Sequence, residues 1–441
     1  MATTYLTRTP GTGSTTKSTF SAWIKRSGLG ANNDLWEIYN DGSNYLRIRF
    51  QDDNTFQLRV DVGNTTILHK ISNAKYRDIS GWYHVVVALD LSSGDKERIY
   101  INGERVTSFG TETNTTATSG DWVTGNSTWT WTIGRHPSGD AYWNGLVCNV
   151  HFCDGYTYAA SDFGSTDATS GEWVINTSPS VNYGTNGFLI LKNGNTITDQ
   201  SSNSNDFTLG GGTLTDLKDC PDNVFATWNP LKSWNDSGTL RQPTYSNGNT
   251  TAIFDDSGNN EQAFSTLAVS TGKFYSEVKC TSITANANTR IGIGDINYTG
   301  TSNPNLQSTT IYYLADGNKR IGSSSSSYGN TYTTGDIISV AMDLDNNKLY
   351  FAKNGTWENS GDPTSGATGT GAIDITDGYN YCFQIEDYAS SGNRSMETNF
   401  GNGYFGTTAI SSEGTNASSI GKFEYDVPTG YTALSTKGLN S

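Results

Sequence analysis

Charge is scarce in this chain of 441 residues. Lysine and arginine number 28 against 43 Asp and Glu, so only 16% of the residues are charged and the net charge is −15. The usual charged share is ~25%. Nucleic acid is excluded as a partner, because neutralising phosphates takes clustered Lys and Arg. Long apolar runs are missing as well. No stretch approaches the ~18 residues of a membrane span, so no membrane insertion is expected. The opening MATTYLTRTPGTGSTTKSTF has no basic start followed by an apolar run and does not read as a secretory signal. The five cysteines (Cys148, Cys153, Cys220, Cys280 and Cys382) are odd in number and without framework spacing. They are expected to be reduced and buried as small hydrophobes. Cys148 and Cys153, five apart on one strand, should face opposite sides, and His151 between them completes no zinc pattern. These absences suit a chain made and folded in a cytoplasm. Its surface composition nevertheless reads as extracellular.

What the chain does have is glycine and aromatic rings. There are 49 Gly, 24 Tyr, 17 Phe and 11 Trp, which excludes disorder. Hydrophobic residues make up 34%, and the glycines bring the total close to the ~45–50% of globular chains. No segment sustains a helical apolar stripe. Short strands instead recur between Gly, Asn, Asp and Ser clusters, as at 19–25 (TFSAWIK), 45–50 (YLRIRF), 82–89 (WYHVVVAL), 273–280 (KFYSEVKC) and 337–344 (IISVAMDL). That is the signature of sandwiches and barrels.

One pattern occurs twice. Residues 81–106 read GWYHVVVALDLSSGDKERIYINGERV, and 335–357 read GDIISVAMDLDNNKLYFAKNGTW. Each is an apolar strand ending in Asp-Leu, a polar turn, a second strand, then Asn-Gly, a strong hairpin signal. The expected fold class is all-β, with two β-sandwiches (jelly rolls) at 1–165 and 250–441. Residues 166–249 hold four of the nine prolines (Pro179, Pro221, Pro230, Pro243) and few strong strands. They are expected to form an irregular connector.

Candidate chemistry is sparse. Glycosidases on jelly-roll folds place carboxylates at alternate positions of one strand, and no Glu-x-Asp-x-x-Glu run exists. Asp343 and Asp345 have the right spacing but lie where a strand enters a turn, and Asp345 is expected to bond nearby backbone. Glu386 and Asp387 are neighbours that an extended strand turns to opposite sides, which suits surface solvation. Residues 343–354 fail as an EF-hand loop, with Lys348 at the sixth position and Asn354 at the twelfth. Acidic loops such as Asp52–Asp53 leave Ca²⁺ at a rim as an alternative without fixing a ligand set. The four histidines, His69, His84, His136 and His151, form no triad by spacing. IGIG at 291–294 continues into no phosphate loop. Aromatics give the positive signal: Trp122, Trp129 and Trp131 lie in a Ser/Thr/Gly-rich stretch, and Trp357 follows the Asn354–Gly355 turn. Trp129, Trp131 and Trp357 are the candidates for stacking on sugar faces, against core packing as the alternative.

The runs FSAWIKRSGLG, GWYHVVVALDLSSGDKERIYINGERVTSFG and WNGLVCNVHFCDGYTYAASDFG resemble the laminin-G-like, concanavalin A-like sandwich, in the version carried by structural proteins of marine tailed bacteriophages. STGKFYSEV, RIGIGD, TTGDIISVAMDLDNNKLYFAKNG and METNFGNGYF resemble a SPRY domain. The resemblance implies a non-enzymatic virion structural protein (tail fibre, capsid fibre or surface appendage) that adheres to host-surface glycan. Its implied partners are other virion proteins and host polysaccharide. Phage fibres are commonly trimers, so a homo-oligomer, a trimer first, is expected, made in the host cytoplasm and exposed on the particle. No cofactor is implied. Two alternatives stay open: a purely architectural decoration protein, and a carbohydrate-degrading jelly roll, which the missing carboxylate pattern argues against.

Overall fold

Apolar residues alternating with Ser, Thr and charged residues produce strands almost throughout. The computed structural model is all-β, 45% strand and 3% helical. It describes residues 3–116, 123–236, 239–255, 260–298, 307–388 and 394–440, so Trp122 lies outside the described residues. The chain divides into two units, Met1–Asp216 and Leu217–Ser441.

The first unit is a sandwich of an eight-stranded and a six-stranded sheet. The larger sheet holds β1 (Tyr5–Arg8), β3 (Asn33–Asp41), β4 (Asn44–Phe50), β5 (Thr55–Val62), β6 (Thr65–Lys75), β10 (Phe109–Thr113), β11 (Thr130–Ile133) and β16 (Thr208–Gly211), in the order β10-β6-β5-β4-β3-β11-β1-β16. The smaller holds β2 (Lys17–Arg26), β7 (Tyr83–Asp90), β8 (Glu97–Ile101), β9 (Glu104–Arg105), β12 (Gly145–Asp154) and β15 (Phe188–Ile190), in the order β15-β12-β2-β7-β8-β9. Between the sheets lies an aromatic-rich core that includes Phe20, Trp36, Phe50, Phe56, Trp131, Phe152 and Phe188. A small hairpin of β13 (Gly164–Thr166) and β14 (Trp173–Ile175) brings Trp173 against the other face of the smaller sheet.

The second unit repeats the plan. After a hairpin of β17 (Trp234–Asp236) and β18 (Thr239–Arg241), a nine-stranded sheet is built on β19 (Thr244–Ser246), β20 (Thr251–Phe254), β22 (Lys273–Ser282), β27 (Ile337–Asp343), β28 (Lys348–Lys353), β29 (Thr356–Trp357) and β32 (Arg394–Asn399), with β30 (Ile373–Asp374) beside β28 and β35 (Thr432–Ala433) beside β22. Its path runs β19-β20-β32-β22-β27-β28-β29. The facing six-stranded sheet is β21 (Asn260–Phe264), β31 (Tyr381–Tyr388), β23 (Arg290–Asp295), β24 (Ile311–Leu314), β25 (Asn318–Ile321) and β26 (Ser324–Ser327), in that order. Both Asn-Gly pairs turn as expected of two residues at positive φ. Asn102 and Gly103 lie at 50° and 80°, and Asn354 and Gly355 at 47° and 79°.

The stretch at 166–249 does not stand apart as a separate connector. β15 pairs with β12, β16 pairs with β1, and Phe188, Ile190 and Phe207 enter the first core. Ala226 and Trp228 belong to the second core. Ser- and Asn-rich sequence hid these few apolar residues, each of which fills a position in a sheet or core.

Candidate functional site

The proposed stacking tryptophans come apart. Trp131 is 0% exposed, its ring 4.8 Å from Phe152, 5.7 Å from Trp36 and 6.1 Å from Phe188. It therefore cannot stack on a ligand, and its expected binding role is corrected to a core role. Trp131 pairs with Ile38 on β3, and alternation sends its side chain between the sheets. Trp129 is half-buried against the same core. Trp357 is half-buried too, edge-on to Tyr350 at 6.5 Å.

The carboxylates singled out by sequence are held by partners. Asp343 is buried, ion-paired to Lys273 at 2.9 Å, and accepts the backbone N–H and side-chain amide of Asn346. Asp345 accepts the N–H of Gly272 at 2.7 Å, a distant loop rather than its own turn. Glu386 and Asp387 are not solvated, as the sequence suggested, but buried. Glu386 is bound by Arg290 and by Gln262 at 2.5 Å, and Asp387 by Thr289. At the alternate position on the Glu386 face stands the Gln384 amide, whose oxygen accepts from Tyr312 at 3.0 Å. The alternate position on this strand is thus an amide rather than a second carboxylate.

A charged face of the first unit was not legible in the sequence. The register shifts between Asp34 and Trp36. That bulge turns Asp34 and Glu37, three residues apart, to the same outward side of the eight-stranded sheet. Arg47 donates to Glu37 at 2.8 Å and also lies 3.8 Å from Asp34, while Arg49 grips Asp34 through Nε at 2.6 Å and Nη2 at 3.0 Å. Arg59 pairs with Asp61 at 2.9 Å, which also accepts from the Tyr45 hydroxyl at 2.8 Å. Arg47 stacks 4.7 Å from the Tyr45 ring. Burial pushes the Glu37 carboxyl up to about 8, against the pull of Arg47. The alternating RIR and RVD of 47–49 and 59–61 marked an outward face. Only the bulge brings the two acids together. The result is a fixed lattice of donors, acceptors and a ring, in which every acid is occupied by an arginine.

A second bulge alters the cysteines. Between Cys148 and His151 the β12 register slips against β2, so Cys148, opposite Trp23, and Cys153, opposite Thr19, share one face. The expected opposite placement is overturned by the extra residue at Asn149, whose φ is 47°. No disulfide links the five cysteines, of which Cys153, Cys280 and Cys382 are buried and Cys148 and Cys220 half-buried. On that same face His84 lies between Trp23 and Trp173, and His151 stacks on Tyr183. Burial drives both imidazoles down to about 3. The indole N–H of Trp173 donates to His84 Nδ1 at 3.0 Å. A neutral His84 therefore carries its proton on Nε2 and donates to Ser21 Oγ, 2.8 Å away. In that tautomer it cannot act as a base toward Ser21, so this Ser–His contact is no nucleophile pair. Among the described residues no three His, Cys, Asp or Glu side chains converge as a metal centre, and no helix is long and apolar enough to cross a membrane.

Residues 2–161 match the family described as the concanavalin A-like lectin/glucanases superfamily. Residues 273–372 match the SPRY domain. The chain carries a concanavalin A-like domain and a SPRY domain. No curated protein matches it. Among solved structures, the SPRY domain of human HERC1 is 16% identical, over 34% of this chain and 87% of that one, with a TM-score of 0.27. A SAP-like pentraxin from Limulus polyphemus is 15% identical over 34% and 70%, with a TM-score of 0.26. A further human SPRY domain is 14% identical over 34% and 90%, at 0.27.

The charged lattice and the buried histidines lie in the concanavalin A-like domain, and Trp357 and Asp343 lie in the SPRY domain. Both domains are consistent with a binding or adhesion module. Trp173, Tyr183 and the strands β15 to β21 fall outside both matches.

Proposed function

We propose that the chain is a non-enzymatic binding protein of a tailed-phage particle, a tail fibre, capsid fibre or surface appendage, and that it adheres to host-surface glycan. The observation that carries this reading is the pairing of a concanavalin A-like domain with a SPRY domain in one chain. The resemblance of its motifs to phage structural proteins supplies the virion setting. Its acids are consistent with recognition rather than hydrolysis, since Asp34, Glu37, Asp343 and Glu386 are each tied to a basic side chain. Display in several copies would raise a weak single-site affinity through avidity, and a trimer with contacts to other virion proteins fits that use.

Gold-labelled antibody on purified particles tests the setting, and competition by the free chain against particle adsorption tests the role. Label on the particle and blocked adsorption are expected. Label without competition would replace adhesion by a purely architectural role. Release of reducing ends from host polysaccharide by the purified chain would overturn the non-enzymatic reading.

A further inference from the structure

We infer that the segment following the concanavalin A-like match builds a site for a neutral saccharide, a proposal that rests on the adhesion reading above and gives it a location. Two loops, one at 180–183 and one at 201–203, meet beside Tyr158 around an open cavity of about 480 Å³. That lies within the ~300–1,000 Å³ of small-ligand sites. No Lys, Arg, His, Asp or Glu lines it. A phosphate, a uronate or an ammonium group would find no opposite charge there. Hydroxyl and amide groups are what the wall offers.

Both loops are held before any ligand arrives. Asn203 Nδ2 donates to the carbonyls of Gly184 and Gly187, at 2.7 and 3.0 Å, tying one wall to the other. Asp199 accepts from the N–H and hydroxyl of Ser201 and from the N–H of Asn205. These bonds hold Ser202 at φ 75° and Ser204 at 61°, left-handed conformations that cost a serine energy. The Asn182 N–H donates to the Tyr158 hydroxyl at 2.7 Å, leaving the phenol's own hydrogen for another acceptor. Among the described residues the Ser180 and Ser202 hydroxyls and Asn182 Nδ2 make no protein hydrogen bond. Donors and acceptors of a sugar's hydroxyls would thus meet partners already in place, which lowers the entropic cost of binding. The rings of Tyr158 and Tyr183 also line the cavity, and behind Tyr158 the 40% exposed Tyr156 stacks with its ring centroid 6.3 Å away at 19°.

The test is an array of neutral glucose, galactose and N-acetylglucosamine oligosaccharides beside galacturonate oligomers, probed with the full chain, followed by calorimetric titration of the strongest binder. Ser180 is exposed, so Ser180→Trp should obstruct the cavity without unfolding the chain. We expect a neutral oligosaccharide to bind, and Ser180→Trp to weaken it at least tenfold at an unchanged melting temperature. Ser202→Ala should weaken it by a smaller factor. Wild-type binding that survives Ser180→Trp within twofold overturns this site while leaving the adhesion reading intact. Preference for galacturonate overturns the neutral ligand class. Binding of no saccharide at all would remove the adhesion reading and this site together.

Discussion

The two units lay out one sheet in the same order and then treat its outer face in opposite ways. β12-β2-β7-β8-β9 in the first corresponds to β32-β22-β27-β28-β29 in the second. Lys17 reaches Asp90 at 3.2 Å and Lys273 reaches Asp343 at 2.9 Å, in equivalent register. Four residues further along each first strand stand Ser21 and Glu277. Around Ser21 the covered face holds two neutral imidazoles, answered by the Trp173 indole and the Tyr183 hydroxyl. Around Glu277 it holds a carboxyl, which accepts the N–H groups of Glu424 and Tyr425 at 2.9 and 2.8 Å, the Tyr275 hydroxyl and the Asn399 amide. Apolar alternation sets the sheet. The segment that covers it decides which polar group can be buried, because that segment supplies the partners.

The largest effect that sharpens the comparison lies in the tryptophans. Trp131→Ala should destabilise the first unit by about 3–5 kcal/mol, as for a fully buried aromatic. Trp357→Ala, at a half-buried site in the second unit, should cost about 1 kcal/mol. Denaturant titration followed by hydrogen exchange assigns each loss to its unit. Equal losses would show that the two sites are packed alike.

The pH response should separate the units next. His84 and His151 have folded values below their unfolded value near 6.5, so unfolding takes up protons and the first unit loses stability as pH falls from 6.5 toward 3. Each contributes about 1.4 kcal/mol per pH unit at most. Glu37, raised to about 8, works the other way between 4.5 and 8. Two buried histidines against one acid leave a net loss of stability on going from pH 6.5 to 4.5. The second unit has no histidine, and burial raises Glu277 and Glu261 to about 7. Its stability should therefore be greatest near pH 4.5 and decline as pH rises through 7. Hydrogen exchange across this range should show opposite trends in β2 and β22, and Glu277→Gln should flatten the second. Parallel trends would break the comparison.

Much of this architecture was legible in the sequence. The repeated Asp-Leu and Asn-Gly hairpins announced two sandwiches, because positive φ at Asn-Gly is a local requirement that tertiary contacts do not override. What escaped was parity and partnership. One extra residue near Leu35 and another at Asn149 reverse which side chains face the core, and nothing in a single strand's composition marks a bulge. Glu386 read as solvated because its ion partner, Arg290, lies on another strand far away in sequence. Trp131 read as a rim residue because Ser and Thr surround it, while its alternation with Ile133 already marked a core face. The cavity beside Tyr158 depends on two loops whose meeting no local pattern foretells.

The smallest effect tests whether the repeated lysine–aspartate pair is one device or two. In the first unit the pair is open, with side-chain exposure of 39% for Lys17 and 13% for Asp90. In the second, Lys273 is 23% exposed and Asp343 wholly buried. An exposed pair is worth ~0.2–1 kcal/mol and fades with salt, so Lys17→Met should cost less than about 1 kcal/mol at low salt and almost nothing at high salt. Removing Lys273 strands a buried carboxylate whose remaining partner is Asn346. Lys273→Met should therefore cost about 1–2 kcal/mol, and most of the loss should persist in salt, since buried charges are little screened. Denaturant midpoints for both variants at two salt concentrations decide it. If the losses are equal and equally salt-sensitive, the covering segment of the second unit does not shield Asp343, and the contrast between the two outer faces stops at Glu277.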